Sequence, residues 1–286
     1  MSRSRGVRRP GRAHRREPVY AATIGLGHVV LAGLDLTVRA GGTEHLPSAG
    51  PVVLASNHVS FPDFFFIGRA LIGTEHRVRF FCRHDIWDSR AAGWAMSSMR
   101  HVPVDREAPA AAYLRGRSLL RRGEVVCVFP EAGISAAYAV RGLMPGAVAL
   151  ARETGAPLVP VSVWGGQRLW PQKRTLDAPF PRPTPQRHRL VDVRFHRAVH
   201  VVPDADVGAV TEALGRRLHA GLEELQALPE HQPRPGEWAP WHPAHLGGDG
   251  LERAASFALD GLPSWAMAPT WGPGLGGEPG RGIMSA

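Results

Sequence analysis

Short apolar runs alternate with longer helix-like runs along the middle of the chain. The apolar runs are typical of buried strands, and they lie at residues 52–56, 78–82, 125–129, 158–164 and 190–195. The helix-like runs lie between and after them, at residues 64–71, 110–122, 144–154 and about 206–228. This alternation predicts an α/β fold in which helices flank a central sheet that is mixed but mostly parallel.

The two ends of the chain differ in composition from this middle region. Residues 1–18 are rich in arginine and are predicted to form a disordered arm. Residues 19–228 are predicted to form one folded domain, since 286 residues with 44% hydrophobic content provide one sizeable core. Residues 229–286 are rich in proline, glycine and tryptophan, and they predict a partly disordered tail with a short helix near residues 251–262.

Positive charge is concentrated at the N-terminal end. The net charge is +9, and seven arginines with a single acid, Glu17, lie in residues 1–17; the other 27 basic and 24 acidic residues give only +3. Such an arm suits an anionic surface, either lipid headgroups or nucleic acid, and a solubilising arm is the alternative. Because the remainder is only mildly basic and carries no base-reading motif, we expect no nucleic-acid partner.

Cysteine usage and one apolar segment indicate the compartment. Cys82 and Cys127 each lie in a strand-like run without a CxxC pair, which predicts buried thiols in a reducing cytoplasm. The apolar run at residues 20–34 is shorter than the ~18 residues of a spanning helix and lacks a clean cleavage site. It favours an interfacial segment. We therefore expect a cytoplasmic protein, peripherally associated with the inner face of the cell membrane.

Unusual polar residues follow the first strand-like run, in the sequence NHVSFPD at residues 57–63. Ser60 and Asp63 have capping-box spacing and Pro62 suits a first helical turn, so an ordinary helix start without catalysis is one interpretation. With Ser60 as the N-cap, however, Asp63 points back toward His58. A carboxylate on one imidazole nitrogen raises the basicity of the other, and we interpret His58 and Asp63 as a catalytic pair.

Two further strand ends attract attention, because loops after strands carry much of the chemistry of α/β folds. The sequence FPEAGIS at residues 129–135 places Glu131 at the tip of a turn, where it could also simply cap the next segment. The sequence VPVSVWG at residues 159–165 has Pro160 inside an apolar run, which predicts an edge strand or an irregular one near a site.

These sequences resemble, in order, the four motifs of the glycerolipid acyltransferases typified by lysophosphatidate acyltransferase. Residues 57–63 match the first motif, Asn-His-x-Ser-x-x-Asp, in full, and VPVDR at residues 102–106 resembles the second, which ends in Asp-Arg. The third motif is Phe-Pro-Glu-Gly-Thr-Arg-Ser; residues 129–131 and Ser135 match it, whereas the three residues between them do not. Residues 159–165 resemble the fourth motif.

The similar region covers about residues 40–200, and the resemblance implies both a fold and an activity. The fold would be that of the glycerol-phosphate acyltransferases, with residues 19–228 as the acyltransferase domain. The activity would be transfer of a fatty acyl group from acyl-CoA or acyl-ACP to a lysophospholipid, 1-acyl-sn-glycerol-3-phosphate, giving phosphatidic acid in phospholipid biosynthesis. His58, oriented by Asp63, would be the general base, acting without an acyl-enzyme.

The resemblance also implies partners and cofactors. The expected partners are the membrane lipid surface, the lysophospholipid acceptor and an acyl carrier protein. No cofactor beyond the acyl donor is expected. No metal is expected either, because the histidines lack convincing ligand spacing.

The residues predicted to bind substrate lie in or beside the matching motifs. They are Asn57, Ser60, Arg106, Glu131, Gly133 and Ser135. Arg106 is the candidate for the acceptor phosphate, because a guanidinium binds phosphate bidentately. Glu131 would accept hydrogen bonds from glycerol hydroxyls or orient Arg106.

Ile134 keeps other activities open. Many relatives have an arginine at this position of the third motif, where it is assigned to acceptor binding. Its absence here leaves room for an acyltransferase with a different lyso-lipid acceptor. A thioesterase that delivers the acyl group to water is the other alternative.

Overall fold

A single sheet forms the centre of the chain, of which the computed structural model describes residues 17–105, 107–263 and 265–273. Its seven strands are β1 (Thr37–Gly41), β2 (Val52–Ser56), β3 (Val78–Arg83), β4 (Val102–Val104), β5 (Val125–Val128), β6 (Leu158–Trp164) and β7 (Leu190–Phe195). The α-helices in the described residues are α1 (Pro18–Gly33), α2 (Asp63–Ala70), α3 (Arg90–Ser98), α4 (Ala110–Arg121), α5 (Gly146–Thr154), α6 (Val207–Gln226) and α7 (Arg253–Asp260).

The strands lie in the order β1-β7-β6-β2-β5-β3-β4. All neighbouring pairs are parallel except β6 and β7, which are antiparallel. Strands β2 to β6 therefore share one direction, and β1 and β7 run the other way. The predicted α/β class, with a mixed and mostly parallel sheet, is confirmed.

Helices cover both faces of the sheet, as parallel strands require. Alternate residues of β2 enter two separate apolar cores. Val53 and Ala55 pack in the core shared with α4, α5 and α6, whereas Val52 and Leu54 pack in the core shared with α1 and α2. Each such aliphatic side chain contributes roughly 1.5–3 kcal/mol by leaving water, so the central strand is held from both sides.

The sequence correctly predicted the helices and strands that have strong apolar patterns. The runs at 158–164 and 190–195 coincide with β6 and β7, and the helix expected at about 206–228 is α6. The patterns did not locate β1, β4 or α3. Most residues of β1 are exposed, and β4 has only three residues, so neither has an apolar run long enough to detect.

Pro160 lies in the interior of the sheet, not at its edge. β6 pairs with both β2 and β7, so the expectation of an edge strand was wrong. The expectation of irregularity was correct: Leu158 pairs with Val199 but Val161 pairs with Phe195, a register shift of one residue across Pro160. A proline is tolerated at such a bulge because its missing N–H is not needed in the regular ladder.

The arginine-rich arm and the end of the tail fall largely outside the described residues, and the domain boundaries remain predictions. The described part of the tail packs on the domain: the Trp271 side chain is buried and its indole N–H donates to the carbonyl of Val140 at 3.2 Å. Within the described residues, none of the helices has the length and apolar character needed to cross a membrane.

A charge network fastens the start of α1 to β3. The carboxylate of Glu17 accepts hydrogen bonds from the guanidinium groups of Arg79, at 2.8 and 2.9 Å, and of Arg100. Arg79 is almost fully buried and its Nε also donates to Glu124 at 2.5 Å. Burial alone would raise the pKa of Glu17, but the hydrogen bonds from both arginines outweigh it and lower that pKa from 4.5 to about 2.

The Glu17→Gln substitution should lower the free energy of unfolding by about 2 kcal/mol at neutral pH, because it removes charge-assisted hydrogen bonds. The folded-state pKa lies below the unfolded value of 4.5, so this stabilisation is complete above that value and is lost as the pH falls toward 2. Urea unfolding of wild type and variant from pH 7 to pH 3 measures the difference. Glu44→Gln, at an exposed position, is the control and should change little at any pH; a pH-independent difference for Glu17→Gln would contradict this account.

Candidate active site

The polar residues identified in the sequence meet at one edge of the sheet. β2, β5 and β6 run in the same direction and lie side by side in the order β6-β2-β5. The segments that follow their carboxyl ends contain His58, Glu131 and Gly165, respectively. In open α/β sheets this edge is where ligands bind.

A buried carboxylate holds the His58 ring. The Nδ1 atom of His58 lies 2.8 Å from Oδ2 of Asp63, whose side chain is fully buried. The same oxygen accepts the backbone N–H groups of Val59 and Ser60, each at 2.8 Å, and the hydroxyl of Ser60 donates to Oδ1. These donors fix the position of the carboxylate, and the carboxylate fixes the ring and its Nδ1–H tautomer.

The local helix start differs from the expected capping box. α2 begins at Asp63 itself, Pro62 takes the position before it, and Ser60 is therefore not the N-cap. Asp63 folds back over the preceding turn and accepts the amides of that turn, not those of α2, and among the described residues no side chain caps the helix start. The predicted proximity of Asp63 to His58 holds, although the turn that produces it is a different one.

The Nε2 edge of the His58 ring is accessible. Its ring stacks on Phe129, with ring centroids 4.1 Å apart and planes inclined by 22°, and 17% of its side chain is exposed. Within the described residues no group hydrogen-bonds to Nε2. An imidazole held at Nδ1 and free at Nε2 is arranged to take a proton from an incoming group.

Glu131 and Ser135 hold the backbone of His58. Oε1 of Glu131 accepts the His58 N–H at 2.7 Å, and the Ser135 N–H donates to the His58 carbonyl at 2.8 Å. Oε2 of Glu131 accepts the backbone N–H of Arg141 at 2.8 Å. Burial raises the pKa of Glu131 to about 8, against the opposing effect of these N–H donors and of the Arg141 charge. Both carboxylate oxygens already have partners, a geometry that favours positioning of His58 over contact with a glycerol hydroxyl.

The other residues predicted to bind substrate also have internal partners. The Asn57 side chain donates to the carbonyl of Val163 at 3.0 Å and accepts its N–H at 2.8 Å, which extends the pairing of β2 with β6. The hydroxyl of Ser135 donates to the carbonyl of Ala139 at 2.7 Å. Gly133 lies against Arg141, and a Cβ there would be 2.3 Å from Nη1. Arg106 lies outside the described residues, so its assignment remains a prediction, as do the others.

The turn at residues 129–135 contains a non-glycine residue in the left-handed region. Ala132 stands where the third motif of the glycerolipid acyltransferases has glycine, and its φ of 53° is in the left-handed region. Glycine adopts that conformation without the cost that a Cβ imposes. The guanidinium of Arg141 lies beside this turn, where Nη1 is 3.5 Å from the carbonyl of Ile134, and it is covered by Asp260 from α7.

Gly166 is a site residue that the sequence analysis did not identify. A Cβ at this position would lie 2.3 Å from the Ser60 hydroxyl and 3.3 Å from Oδ1 of Asp63. The turn after β6 therefore packs directly behind the His58–Asp63 pair. The only signal in the sequence is the Gly165-Gly166 doublet at a strand end, which does not by itself indicate what approaches it.

Residues 37–164, slightly less than half of the chain, match the family model described as Acyltransferase. The resemblance to lysophosphatidate-type glycerolipid acyltransferases is confirmed. The chain is 33% identical over 134 residues to the chloroplastic 1-acyl-sn-glycerol-3-phosphate acyltransferase BAT2 of Brassica napus, covering 46% of this chain and 38% of the relative. It is 28% identical over 147 residues to the 1-acyl-sn-glycerol-3-phosphate acyltransferase of Pseudomonas aeruginosa, covering 50% of this chain and 54% of the relative.

A solved structure supports the fold. The crystal structure of the 1-acyl-sn-glycerophosphate (LPA) acyltransferase PlsC from Thermotoga maritima superposes with a TM-score of 0.60 at 21% sequence identity, covering 76% of this chain and 85% of that one. The chain spans only about two fifths of the length of the Brassica relative and about half of the Pseudomonas one. Within the described residues there is no group of three or more His, Cys, Asp or Glu side chains that could hold a metal ion.

Replacement of Gly166 by alanine should disturb the site, because the new methyl group would collide with the Ser60 hydroxyl and crowd Asp63. We expect the free energy of unfolding to fall by about 1–3 kcal/mol and the His58 ring resonances in an NMR spectrum to shift. Gly146→Ala, at the start of α5 with no atom near the added Cβ, is the matched control and should leave both unchanged within about 1 kcal/mol. Equal behaviour of the two variants would contradict the close packing of Gly166 behind the pair.

Proposed function

We propose that this protein transfers a fatty acyl group from a thioester donor, acyl-CoA or acyl-ACP, to the hydroxyl of a lysophospholipid. The proposed acceptor is 1-acyl-sn-glycerol-3-phosphate and the product is phosphatidic acid, a step of phospholipid biosynthesis. The observation that carries the proposal is the 2.8 Å contact between Nδ1 of His58 and the buried carboxylate of Asp63. The names of the matched relatives support the choice of acceptor.

The chemistry follows from the polarity of the two substrates. A thioester carbonyl is already electrophilic, whereas an alcohol is a weak nucleophile at neutral pH. Nε2 of His58 takes the hydroxyl proton as the oxygen attacks the carbonyl, and the Asp63 carboxylate stabilises the imidazolium that forms. The tetrahedral intermediate then collapses, the carbon–sulfur bond breaks, and the imidazolium gives its proton to the departing thiolate.

Direct transfer without an acyl-enzyme is supported by the state of the nearby nucleophiles. The hydroxyls of Ser60 and Ser135 donate to Asp63 and to the carbonyl of Ala139, respectively, and both are buried. Burial raises the pKa of the Cys82 thiol to about 12, so it stays protonated and is a poor nucleophile. None of these groups is placed to receive an acyl group from a donor beside His58.

The oxyanion of the intermediate needs donors other than those at the helix start. The amides of Val59 and Ser60 are bonded to Asp63, and the amide of Phe61 donates to the carbonyl of Trp170 at 3.3 Å. These amides support the pair instead. A donor outside this turn, or one from the substrate itself, would have to supply that stabilisation.

An apolar surface next to the pair suits amphiphilic substrates. Phe61, which lies between His58 and Asp63 in sequence, packs against Trp170 and Phe180 with ring centroids 5.1 and 5.0 Å away. Phe180 is exposed. Aromatic rings beside a polar reaction centre provide a place for an acyl chain while the headgroup stays in water.

The His58→Ala variant should lose thiol release that depends on the acceptor. Purified protein would receive acyl-CoA with and without lysophosphatidate, and the rate should fall by ~10²–10⁴-fold in the variant because the general base is gone. The rate should fall by a similar factor in Asp63→Asn, since the amide cannot accept hydrogen bonds from all the donors that fix the ring. His200→Ala, an exposed histidine, should keep the wild-type rate.

Three other outcomes would change the assigned reaction, the assigned acceptor or the proposed mechanism. Equal thiol release with and without any acceptor would point to the thioesterase alternative. Thiol release that requires a different lysophospholipid would support acyl transfer but change the assigned acceptor, an alternative that Ile134 leaves open. Release that survives in His58→Ala would contradict the proposed mechanism.

We also propose that the protein works peripherally at the inner face of the cell membrane, with an acyl carrier protein as a donor partner and without a nucleic-acid partner. α1 is apolar around its circumference, and Leu26, Val29 and Val30 on it are exposed. α2 and α3 both contact α1, and they add exposed Phe64 and Trp94. An exposed apolar surface of this kind next to a lipid-processing site favours the membrane interface.

Replacement of Leu26 and Val29 together by glutamine should weaken binding to vesicles of phosphatidylglycerol and phosphatidylcholine by at least about tenfold, since two aliphatic side chains no longer enter the bilayer. Cosedimentation with the vesicles measures the effect, and circular dichroism checks that α1 remains folded. Leu114→Gln, an exposed leucine on α4 at the other face of the sheet, should bind as wild type. Unchanged binding of the double variant would rule out α1 as the lipid-contacting element.

A further inference from the structure

Three arginines line a cleft next to the candidate active site; the Nε of one of them, Arg189, donates to the side chain of Gln186 at 2.7 Å. We call it the arginine cleft: it has a volume of about 760 Å³ and is lined by Arg168, Arg189, Arg234 and neighbouring residues of the segment 229–237. Among the described residues no carboxylate lies within salt-bridge distance of these three side chains. The two acids in the lining are engaged elsewhere: Glu230 binds Arg39 at 2.9 Å, and Glu237 accepts the backbone N–H of Arg234 at 2.9 Å.

Arg168 is the most confined of the three. Its guanidinium stacks on Trp241, 3.2 Å from the ring centroid, and its Nε is buried without a hydrogen-bond partner in the described structure. Burial, together with the nearby charge of Arg189, lowers the pKa of Arg168 to about 10. The charge of Glu237 offsets this effect only in part. A partly buried cation beside a like charge and without a salt-bridge partner is costly, and a bound anion would relieve that cost.

The cleft opens on the same edge of the sheet as His58. Arg168 follows the end of β6, and Arg189 precedes the start of β7, which runs antiparallel to β6. The turn that carries Arg168 also carries Gly166, which packs against Ser60 and Asp63. Gln167 of the same turn donates to the carbonyl of Trp241 at 3.2 Å. One rigid turn therefore connects the His58–Asp63 pair with the cleft.

The separation between the two sites selects among phosphate-bearing ligands. β7 lies two strands from β2, which corresponds to roughly 10 Å at the usual strand spacing. In a lysophosphatidate the phosphate is only a few bonds from the reacting hydroxyl. In coenzyme A a long pantetheine arm separates the thioester from the pyrophosphate and the 3′-phosphate, and those several negative charges match several arginines.

We propose that the arginine cleft binds the nucleotide phosphates of coenzyme A, and that Arg168, Arg189 and Arg234 are the residues that recognise this donor. This inference rests on the proposed acyl-transfer function. It assigns the donor-binding site a position at the β6–β7 end of the active edge, while the acceptor approaches His58 from elsewhere. It also gives the Trp241 ring a role, since the ring keeps the Arg168 guanidinium in place.

Calorimetric titration with coenzyme A, dephospho-coenzyme A and pantetheine tests the proposal, because these ligands differ in the phosphates they carry. Wild-type protein should bind coenzyme A at least tenfold more tightly than pantetheine, with dephospho-coenzyme A between them. Arg168→Gln should weaken the binding of coenzyme A at least tenfold and leave the affinity for pantetheine unchanged. Arg168→Lys should give an intermediate loss, since lysine keeps the charge without the planar, bidentate group.

Two further variants guard against misfolding and nonspecific charge effects. Arg234 is exposed, so Arg234→Gln should fold normally and still weaken coenzyme A by several-fold. Arg216→Gln removes the same charge from an exposed position on α6 and should bind coenzyme A as wild type does. Wild-type affinity for coenzyme A in both Arg168→Gln and Arg234→Gln, or equal binding of coenzyme A and pantetheine to wild-type protein, would overturn the proposal.

A competition arm separates the two possible sources of phosphate. Glycerol 3-phosphate should not displace coenzyme A from the cleft. Displacement that disappears in Arg168→Gln would show that the cleft binds the phosphate of the acceptor, and it would overturn the donor assignment. Binding does not require turnover, so His58→Ala should bind coenzyme A normally. If thiol release requires His58 but the arginine substitutions leave coenzyme A affinity unchanged, only this inference is refuted. If the arginine substitutions weaken coenzyme A binding but thiol release does not require His58, only the proposed function is refuted.

Discussion

The buried carboxylate of Asp63 organises the turn between β2 and α2. Its two oxygens accept the His58 ring, two backbone amides and the Ser60 hydroxyl. A buried carboxylate is costly unless donors surround it, so this turn can close in few other ways. The same hydrogen bonds that let the chain bury Asp63 also set the direction and tautomer of the imidazole. The stability of the turn and the orientation of the imidazole therefore depend on one interaction.

The neighbouring strands make that arrangement rigid. Glu131 and Ser135, after β5, hold the backbone of His58 on both sides of its Cα, and Gly166, after β6, fills the space behind Asp63. Asn57 continues the pairing between β2 and β6 to the edge of the site. Polar residues of the recognisable motifs thus largely support the His58–Asp63 pair. Supports of this kind hold a site to the tolerance that catalysis requires.

The turn at residues 129–135 depends on contacts with residues beyond the turn itself. Ala132 adopts a left-handed φ of 53°, although its Cβ makes that conformation less favourable than it would be for glycine. Arg141, ten residues after Glu131, places its guanidinium over Gly133, where a larger residue would not fit. A segment from the C-terminal part of the chain covers that guanidinium through Asp260. The chemistry of this turn is therefore shared with residues far away in sequence.

Features that depend on neighbours along the chain were predictable. The apolar runs at β6 and β7, the three-and-four spacing of α6 and the proximity of His58 to Asp63 all follow from local periodicity or short spacing. Even there, α2 begins at Asp63 and not directly after Ser60 as the N-cap, because hydrogen bonds to the Asp63 carboxylate determine the shape of the preceding turn. The order of motifs likewise indicated the kind of protein before any contact was known.

Contacts between distant residues were decided by the tertiary structure alone. Glu131 binds the amide of His58 across 73 positions, Asn57 binds Val163 across 106, and Trp241 holds Arg168 although they are not adjacent in any element. Nothing in a local pattern says which strands become neighbours, and the sheet order β6-β2-β5 produces the first two of these contacts. The third depends on how the segment after α6 packs on the turn after β6. The sequence by itself determined which residues could do the chemistry. The sheet decided which of them meet, because parallel strands bring their carboxyl ends to one edge whatever the distance between them along the chain.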